Sequence, residues 1–413
     1  MEKSLNINAG NATLLNDRLE MFDGYGSVNI NCGNVLATRK AYDKLLSMGV
    51  HLNCGNTTIL DITGEIAELP GKTVITADMS YAGRYLFCDG NLIVQDAKGL
   101  DGITGLYAHN LFCPESVSLP AVMGITANRV VYPDGAKLTF ADTTLGEDSP
   151  IILEGGALHW VHGEITALDG NALEKLRLKN IAFHCKRLTI YAGLYEKYRD
   201  MFQADGCTFI PDGYAVTGGI SLDAATALLY GEKLYVRGDM MIHHDQAQHL
   251  SGFSSLIVNG EVTMPVSAAA AFKAVGKANG YNLYEGALLE MNGVQTLSHD
   301  QLQTALNKGL PYSIQVNGVV CFMEGVTAED VGAVASISCN GVIIAPGTAR
   351  GALDSKIKEI NGTILDFEAV KLLLGEKFDS DDPLGSLMKI QGLITGGGEN
   401  ENTSNINTGN FKL

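Results

Sequence analysis

Asn31-Cys32-Gly33-Asn34 returns 22 positions later as Asn53-Cys54-Gly55-Asn56. Between the copies lie an apolar stretch, a segment of helical spacing over residues 38–48, a glycine and a second short strand. The same order returns from Met291-Asn292-Gly293 through a helix predicted after Ser298, then Gly309, then a strand over Ile314–Gly318. Units of roughly 20–29 residues built as strand, turn and helix are the mark of α/β repeats. In such chains each unit buries its apolar side only against its neighbours, so length does not count domains in the usual way.

Local signals agree with the period. Val28-Asn29-Ile30-Asn31 alternates apolar and polar, as a half-buried strand does. Ala41, Tyr42, Leu45 and Leu46 share one helical face, with Thr38 placed to cap the start and Gly49 the end. Ser298-His299-Asp300-Gln301 has the capping-box form, and Leu302, Ala305 and Leu306 supply the apolar face. A longer alanine-rich helix is predicted over Ser267–Lys277 and a shorter one after Thr327.

The stretch 234–365 is the most regular. Strand-turn signals fall at Val236-Arg237-Gly238, Val258-Asn259-Gly260, Met291-Asn292-Gly293, Val316-Asn317-Gly318, Cys339-Asn340-Gly341 and Ile360-Asn361-Gly362, with glycines 22, 33, 25, 23 and 21 residues apart. Asn-Gly favours tight turns, so these positions read as the corners of successive coils. Asparagines stacked at such corners can satisfy backbone groups of the neighbouring coil.

Residues 85–235 carry the pattern with more drift. Phe112-Cys113-Pro114-Glu115-Ser116-Val117 and Val131-Tyr132-Pro133-Asp134-Gly135-Ala136 echo one another, as do Ile210-Pro211-Asp212-Gly213 and Ala345-Pro346-Gly347. This pattern resembles leucine-rich-repeat proteins, above all bacterial solenoids whose repeats carry an Ile-Pro-acidic-small corner. The chain departs from that family where Asn259 follows Val258 directly, and its repeat lengths vary. The resemblance implies an architecture and a scaffold role and assigns no residue roles. The expected fold is therefore α/β: an elongated repeat solenoid with a stacked parallel β-sheet and short helices or irregular arms on the other side. Residues 1–25 are expected to form an N-terminal cap, 26–375 the repeats closed by a helix over Phe367–Leu374, and 376–413 a tail. That tail is acidic at Phe378–Pro383, Gly- and Asn-rich from Gly396, and expected to be disordered.

Composition narrows the function classes. Apolar residues make up 46% and charged residues 18%, enough apolar material for a long core. Net charge is −17, and no Lys/Arg cluster with interleaved aromatics occurs, which argues against nucleic acid and anionic membranes as partners. No run approaches the roughly 18 apolar residues of a membrane span. The first residues, Met1-Glu2-Lys3-Ser4, form no apolar leader, and eight cysteines lack close Cys-x-x-Cys spacing, so free thiols in a reducing cytoplasm are expected.

Candidate chemistry is sparse. Cys32, Cys54, Cys88 and Cys339 occupy similar positions in their units and read as small packed side chains more than as metal or redox ligands. His243, His244, Asp245 and His249 form the densest set of potential ligands, yet their spacing suits a solvated loop after a strand over Leu234–Met241. In a strand, His159 and His162 beside Trp160 would face opposite sides. Asp61, Asp89, Asp96, Asp101, Asp134 and Asp142 lie near turns without forming acid–base doublets. Neither a GxxxxGK[ST] phosphate loop, a Gly-x-Gly-x-x-Gly fingerprint nor a Gly-x-Ser-x-Gly elbow is present. No catalytic, cofactor or metal residues are assigned. The expectation is a non-catalytic scaffold that binds protein or self-associates, with a carbohydrate-active or carbohydrate-binding protein as the alternative. Tyr81, Tyr85, Tyr191, Tyr195 and Tyr198 are the aromatics expected on an interaction face.

Overall fold

The computed structural model describes residues 3–16, 19–62, 64–119, 125–149, 156–366, 370 and 403–412. It is an α/β protein with five separate sheets among the described residues, none of them closed. Every strand pairing among the described residues is parallel. The chain divides into two compact units, Met1–Ile210 with Glu399–Leu413, and Pro211–Gly398.

The first unit begins with β1 (Lys3–Leu14), β2 (Tyr25–Thr38) and, after helix α1 (Arg39–Ser47), β3 (His51–Leu60). A second sheet comprises β4 (Glu65–Leu69), β5 (Lys72–Ile75), β6 (Arg84–Val94), β7 (Gly105–Pro114) and β8 (Ile125–Tyr132). A third comprises β9 (Lys137–Thr139), β10 (Thr143–Thr144), β11 (Leu158–Ala167), β12 (Ala182–Tyr191) and β13 (Phe202–Ile210), with α2 (Gly170–Leu178) and α3 (Ala192–Tyr198) between its longer strands.

The second unit holds a fourth sheet of β14 (Ala215–Thr217), β15 (Ile220–Ser221), β16 (Lys233–Val236), β17 (Met240–Met241), β18 (Ser255–Pro265) and β19 (Gly276–Tyr284). Helices α4 (Thr226–Tyr230) and α5 (Ala269–Val275) belong to it. The fifth sheet is β20 (Ala287–Leu297), β21 (Tyr312–Phe322), β22 (Val334–Ala345) and β23 (Ile357–Asp366), with α6 (His299–Asn307) after β20 and α7 (Gly347–Asp354) after β22. The last described strand, β24 (Thr403–Lys412), returns to the first unit and pairs with β1, giving the order β24-β1-β2-β3.

Local sequence explains the best-formed elements. Thr38 accepts a hydrogen bond from the Ala41 amide at the start of α1, and Gly49 adopts φ +74° beyond its end. Ser298 and Gln301 form the full reciprocal capping box on α6. In the first sheet, alternate residues enter one apolar core, where Leu5, Ile7, Val28 and Ile30 pack over Ala41 and Leu45 of α1. Full burial of one such aliphatic side chain is worth about 1.5–3 kcal/mol, so this stacking dominates the local energetics.

Several expectations are corrected. The supposed cap over 1–25 contains a complete strand, β1, matched residue for residue to β2 from Ser4 to Ala9. The supposed tail over 376–413 contains β24, whose backbone pairs with β1 from Thr403 to Lys412. The Asn-Gly signals are not the ends of strands. Asn31–Asn34 lie inside β2 and Asn317-Gly318 inside β21, and pairing continues on both sides. In the fifth sheet the glycines absorb the bend, with φ of +127°, +139°, +145° and +156° at Gly293, Gly318, Gly341 and Gly362. The helix expected over Ser267–Lys277 shortens to α5 because Gly276 and Lys277 already pair with Leu256 and Ile257. The helix expected after Thr327 is a single 3-10 turn, Asp330–Ala333. The strand expected over Leu234–Met241 is broken between β16 and β17. The closing helix over Phe367–Leu374 lies outside the described residues, apart from the buried Val370.

Candidate functional site

Asparagine columns run across the strands with a single polarity. In the first sheet the Asn53 Nδ2 donates to Asn31 Oδ1 at 2.9 Å, and Asn31 donates to Asn8 at 2.9 Å. A parallel column runs from Asn56 to Asn34 at 3.1 Å, Asn34 to Asn11 at 2.9 Å and Asn11 to Asn410 at 3.1 Å. Asn128, Asn110 and Asn91 form a third column in the second sheet, and Asn279 donates to Asn259 in the fourth. In the fifth, Asn292, Asn317, Asn340 and Asn361 are in register, with Asn317 donating to Asn292 at 2.9 Å. Asn11, Asn31, Asn34 and Asn110 are thus each both donor and acceptor, which an isolated turn would not require. Two aspartates serve similarly at bulges: Asp142 Oδ1 accepts from the Glu164 amide and Asp239 Oδ1 from the Glu261 amide, each at 2.8 Å.

Beside the fifth-sheet column runs a second in-register row, Glu290, Gln315, Ser338 and Glu359. Together they line an open groove of about 520 Å³. In the first unit a groove of about 550 Å³ has Asn11, Asn34, Asn56 and Asn410 on one side and Asp89, Tyr107 and His109 on the other. Tyr107 stacks on Phe87 at 5.0 Å, and burial followed by the Asp89 charge pushes its phenol up.

The candidates from sequence disperse. Cys32 and Cys54 are neighbours in register, whereas Cys88 and Cys339 are buried in other sheets. All eight thiols are free. Burial pushes the Cys185 and Cys321 thiols up to about 12, opposite to the shift a reactive thiolate needs. His243, His244 and Asp245 are exposed, and His249 sits in a separate 3-10 turn, Ala247–Gly252. Among the described residues, no group of three or more His, Cys, Asp or Glu side chains is arranged to hold a metal ion. His159 packs on Phe183 at 5.8 Å, while His162 stacks on Trp160 at 5.2 Å, so the two histidines do take opposite faces of β11. Burial, then Lys186, whose Nζ lies 3.0 Å from His162 Nε2, hold the His162 pKa down.

Of the aromatics expected on an interaction face, Tyr85 and Tyr198 are buried and Tyr81, Tyr191 and Tyr195 half-buried. The large exposed apolar side chains are others, Leu178, Leu228 and Leu229 foremost. Sequence reasoning also missed a buried carboxylate. Asp330 is fully buried and accepts from Gln303 Nε2 at 2.7 Å, the Thr327 amide at 2.8 Å, the Thr327 hydroxyl at 2.9 Å and His299 Nδ1 at 2.9 Å. Burial opposes its ionisation, but these hydrogen bonds outweigh burial and hold the carboxyl well below the usual range. The only signal in the sequence was Thr327-x-x-Asp330, a local cap.

Fold and site together define an α/β protein of parallel sheets stitched by asparagine columns. Comparison with protein-family models, curated proteins and solved structures finds no match. No helix among the described residues is long and apolar enough to cross a membrane.

Proposed function

We propose that this chain is a non-catalytic repeat solenoid, a leucine-rich-repeat-like scaffold that works by binding protein and by self-association. The observation that carries this reading is the in-register repetition across parallel strands, Asn8, Asn31 and Asn53 in the first sheet and Asn292, Asn317, Asn340 and Asn361 in the fifth, and the directions of the ionisation shifts agree with it. Every displaced carboxyl among the described residues, at Asp78, Glu174, Asp223, Asp245 and Asp330, is held ionised. A general acid needs a carboxyl displaced the other way. The displaced thiols, by contrast, are pushed up. Free thiols throughout suit a reducing compartment such as the cytoplasm.

The groove of the fifth sheet favours carbohydrate binding as the second reading, because it offers a polar side chain at every strand spacing. Its two acids are poorly placed for cleavage. Glu290 and Glu359 are three strands apart in register, about 14 Å at the usual spacing, whereas glycosidase pairs lie roughly 5–9.5 Å apart. Light scattering coupled to size exclusion tests the primary reading. A mass rising above the 43.9 kDa of one chain as concentration increases is expected, and one-chain mass at every concentration removes self-association.

A further inference from the structure

The word Asn-Ile-Asn-x-Gly-Asn occurs three times: at Asn6–Asn11 in β1, Asn29–Asn34 in β2 and Asn405–Asn410 in β24. In space the three copies are adjacent and in register. Ile406 faces Ile7, which faces Ile30, and Asn410 faces Asn11, which faces Asn34. The pairing code read by the β1 edge is therefore carried by a segment nearly 400 positions away in the same chain, and by every other copy of the chain.

This strand carries little apolar material, Ile406 and Phe411 being the apolar residues between Thr403 and Lys412. Among its described side chains Phe411 is buried and Ile406 and Thr408 are half-buried, whereas β1 buries Leu5, Ile7, Ala12 and Leu14. Its ties among the described side chains include the backbone ladder to β1, the Asn11–Asn410 bridge, and Lys412, which pairs with Glu68 and lies 5.7 Å over the Phe87 ring. No described strand pairs with its outer edge. Elements with few buried apolar contacts open at lower free energy than the rest of a fold. When β24 leaves, the β1 edge is exposed as a formed template, with the Asn11 amide ready to donate and a row of unpaired backbone groups. Thirty-two residues separate the buried Val370 from Thr403 (403 − 370 − 1), a contour of at most about 110 Å, so covalent reach does not confine the strand to its own chain.

We propose that residues 403–412 are an exchangeable strand, which closes the first sheet of its own chain or is donated to the β1 edge of a second copy. The partner is a second copy because the contacts are the same in either case, which is the condition for strand exchange between identical chains. This rests on the self-associating reading above and names the segment responsible.

The Lys412–Glu68 pair reports on the exchange directly. Unlabelled and ¹⁵N-labelled full-length chains, mixed in equal amounts, are refolded together from urea at high concentration and treated with a carbodiimide. That reagent couples the Lys412 amine to the Glu68 carboxyl and takes up the water released. After proteolysis of the oligomeric fraction, about half of the Lys412–Glu68 peptides should carry one labelled and one unlabelled partner, as random pairing of equal pools requires. A chain carrying Ile406→Asp and Phe411→Asp should lose both the linked peptide and the oligomers. Oligomers whose linked peptides are all of one label, or oligomers that persist in the double variant, overturn the exchange while leaving self-association standing. One-chain mass at every concentration overturns both.

Discussion

Removing the Asp330 carboxylate should loosen the second unit in a pH-dependent way. Asp330 is fully buried and takes four hydrogen bonds, two of them from His299 and Gln303 on α6 and two from Thr327 at the start of its own turn. Bonds to a charged acceptor are worth about 1.5–3 kcal/mol each, but part of that sum offsets the desolvation of a buried carboxylate. Asp330→Ala, which removes the acceptor and leaves the donors behind, is expected to cost about 3–5 kcal/mol. Asp330→Asn should cost less, about 2 kcal/mol, because Gln303 can turn its amide and present oxygen to the new nitrogen. The carboxyl pKa is lower in the folded chain than the roughly 3.9 of an unfolded one, so its contribution is complete above that value and is lost as pH falls through the folded value. His299 is raised, chiefly by the hydrogen bond to Asp330, so its contribution is complete below about 6.5 and is lost as pH rises through its folded value. The gap between wild type and Asp330→Ala should therefore be widest between about pH 4 and 6.5 and narrow on either side. Amide hydrogen exchange of α6 and of Asp330–Ala333 reads it locally, which matters because a chain of two units has no single unfolding constant. A gap below 1 kcal/mol, or one that stays constant as the pH is lowered from 5 to 3, would refute the reasoning.

Two further pairs of substitutions probe the columns, each with its own control. A Cβ on Gly341 would stand 1.9 Å from the Gly318 carbonyl oxygen at φ +145°, so Gly341→Ala should cost on the order of 3 kcal/mol or more. Gly347→Ala in α7, where nothing lies within 4 Å, should be neutral or gain about 0.4–1 kcal/mol. Thermal scans of the two variants giving equal shifts would count against the close stacking of the glycines. Asn31→Leu breaks an amide that both donates and accepts and should cost about 1–2 kcal/mol, against about 0.5 kcal/mol for the terminal and exposed Asn56→Leu. Urea midpoints followed by exchange in β2 check the order, and equal losses would remove the cooperative column.

What could be read from the sequence was what local spacing decides. Thr38, Gly49 and the Ser298–Gln301 box act within one turn of chain, and each took its expected place. The alternation at Val28–Asn31 likewise settled which residues of β2 face inward. Burial of Tyr85 and Tyr198 could not be read this way, since it depends on which face of a strand or helix meets its neighbours. Asp330 shows the same limit: its cap with Thr327 is local, but two of its four hydrogen bonds come from His299 and Gln303 on another element.

The asparagine words mark where the two kinds of information part. Asn-Gly is read as a turn because in isolated chains its side chain and its tolerance of positive φ serve the local backbone. In a parallel sheet the same amide is better used along the stack, where Asn31 donates to Asn8 and accepts from Asn53, and pairing continues past Gly33 to Thr38. That use has no local signature, only a matching word elsewhere in the chain. The match between Asn6–Asn11 and Asn405–Asn410 was present in the sequence. It was masked by composition: a stretch rich in Gly, Asn, Ser and Thr lacks the apolar area that ordinarily offsets the entropy of ordering. In β24 the offset comes instead from a backbone ladder and a template that carries the same Asn-Ile-Asn-x-Gly-Asn word. An element ordered by its template more than by its own burial exists only while that template is there, and any copy of β1 supplies it.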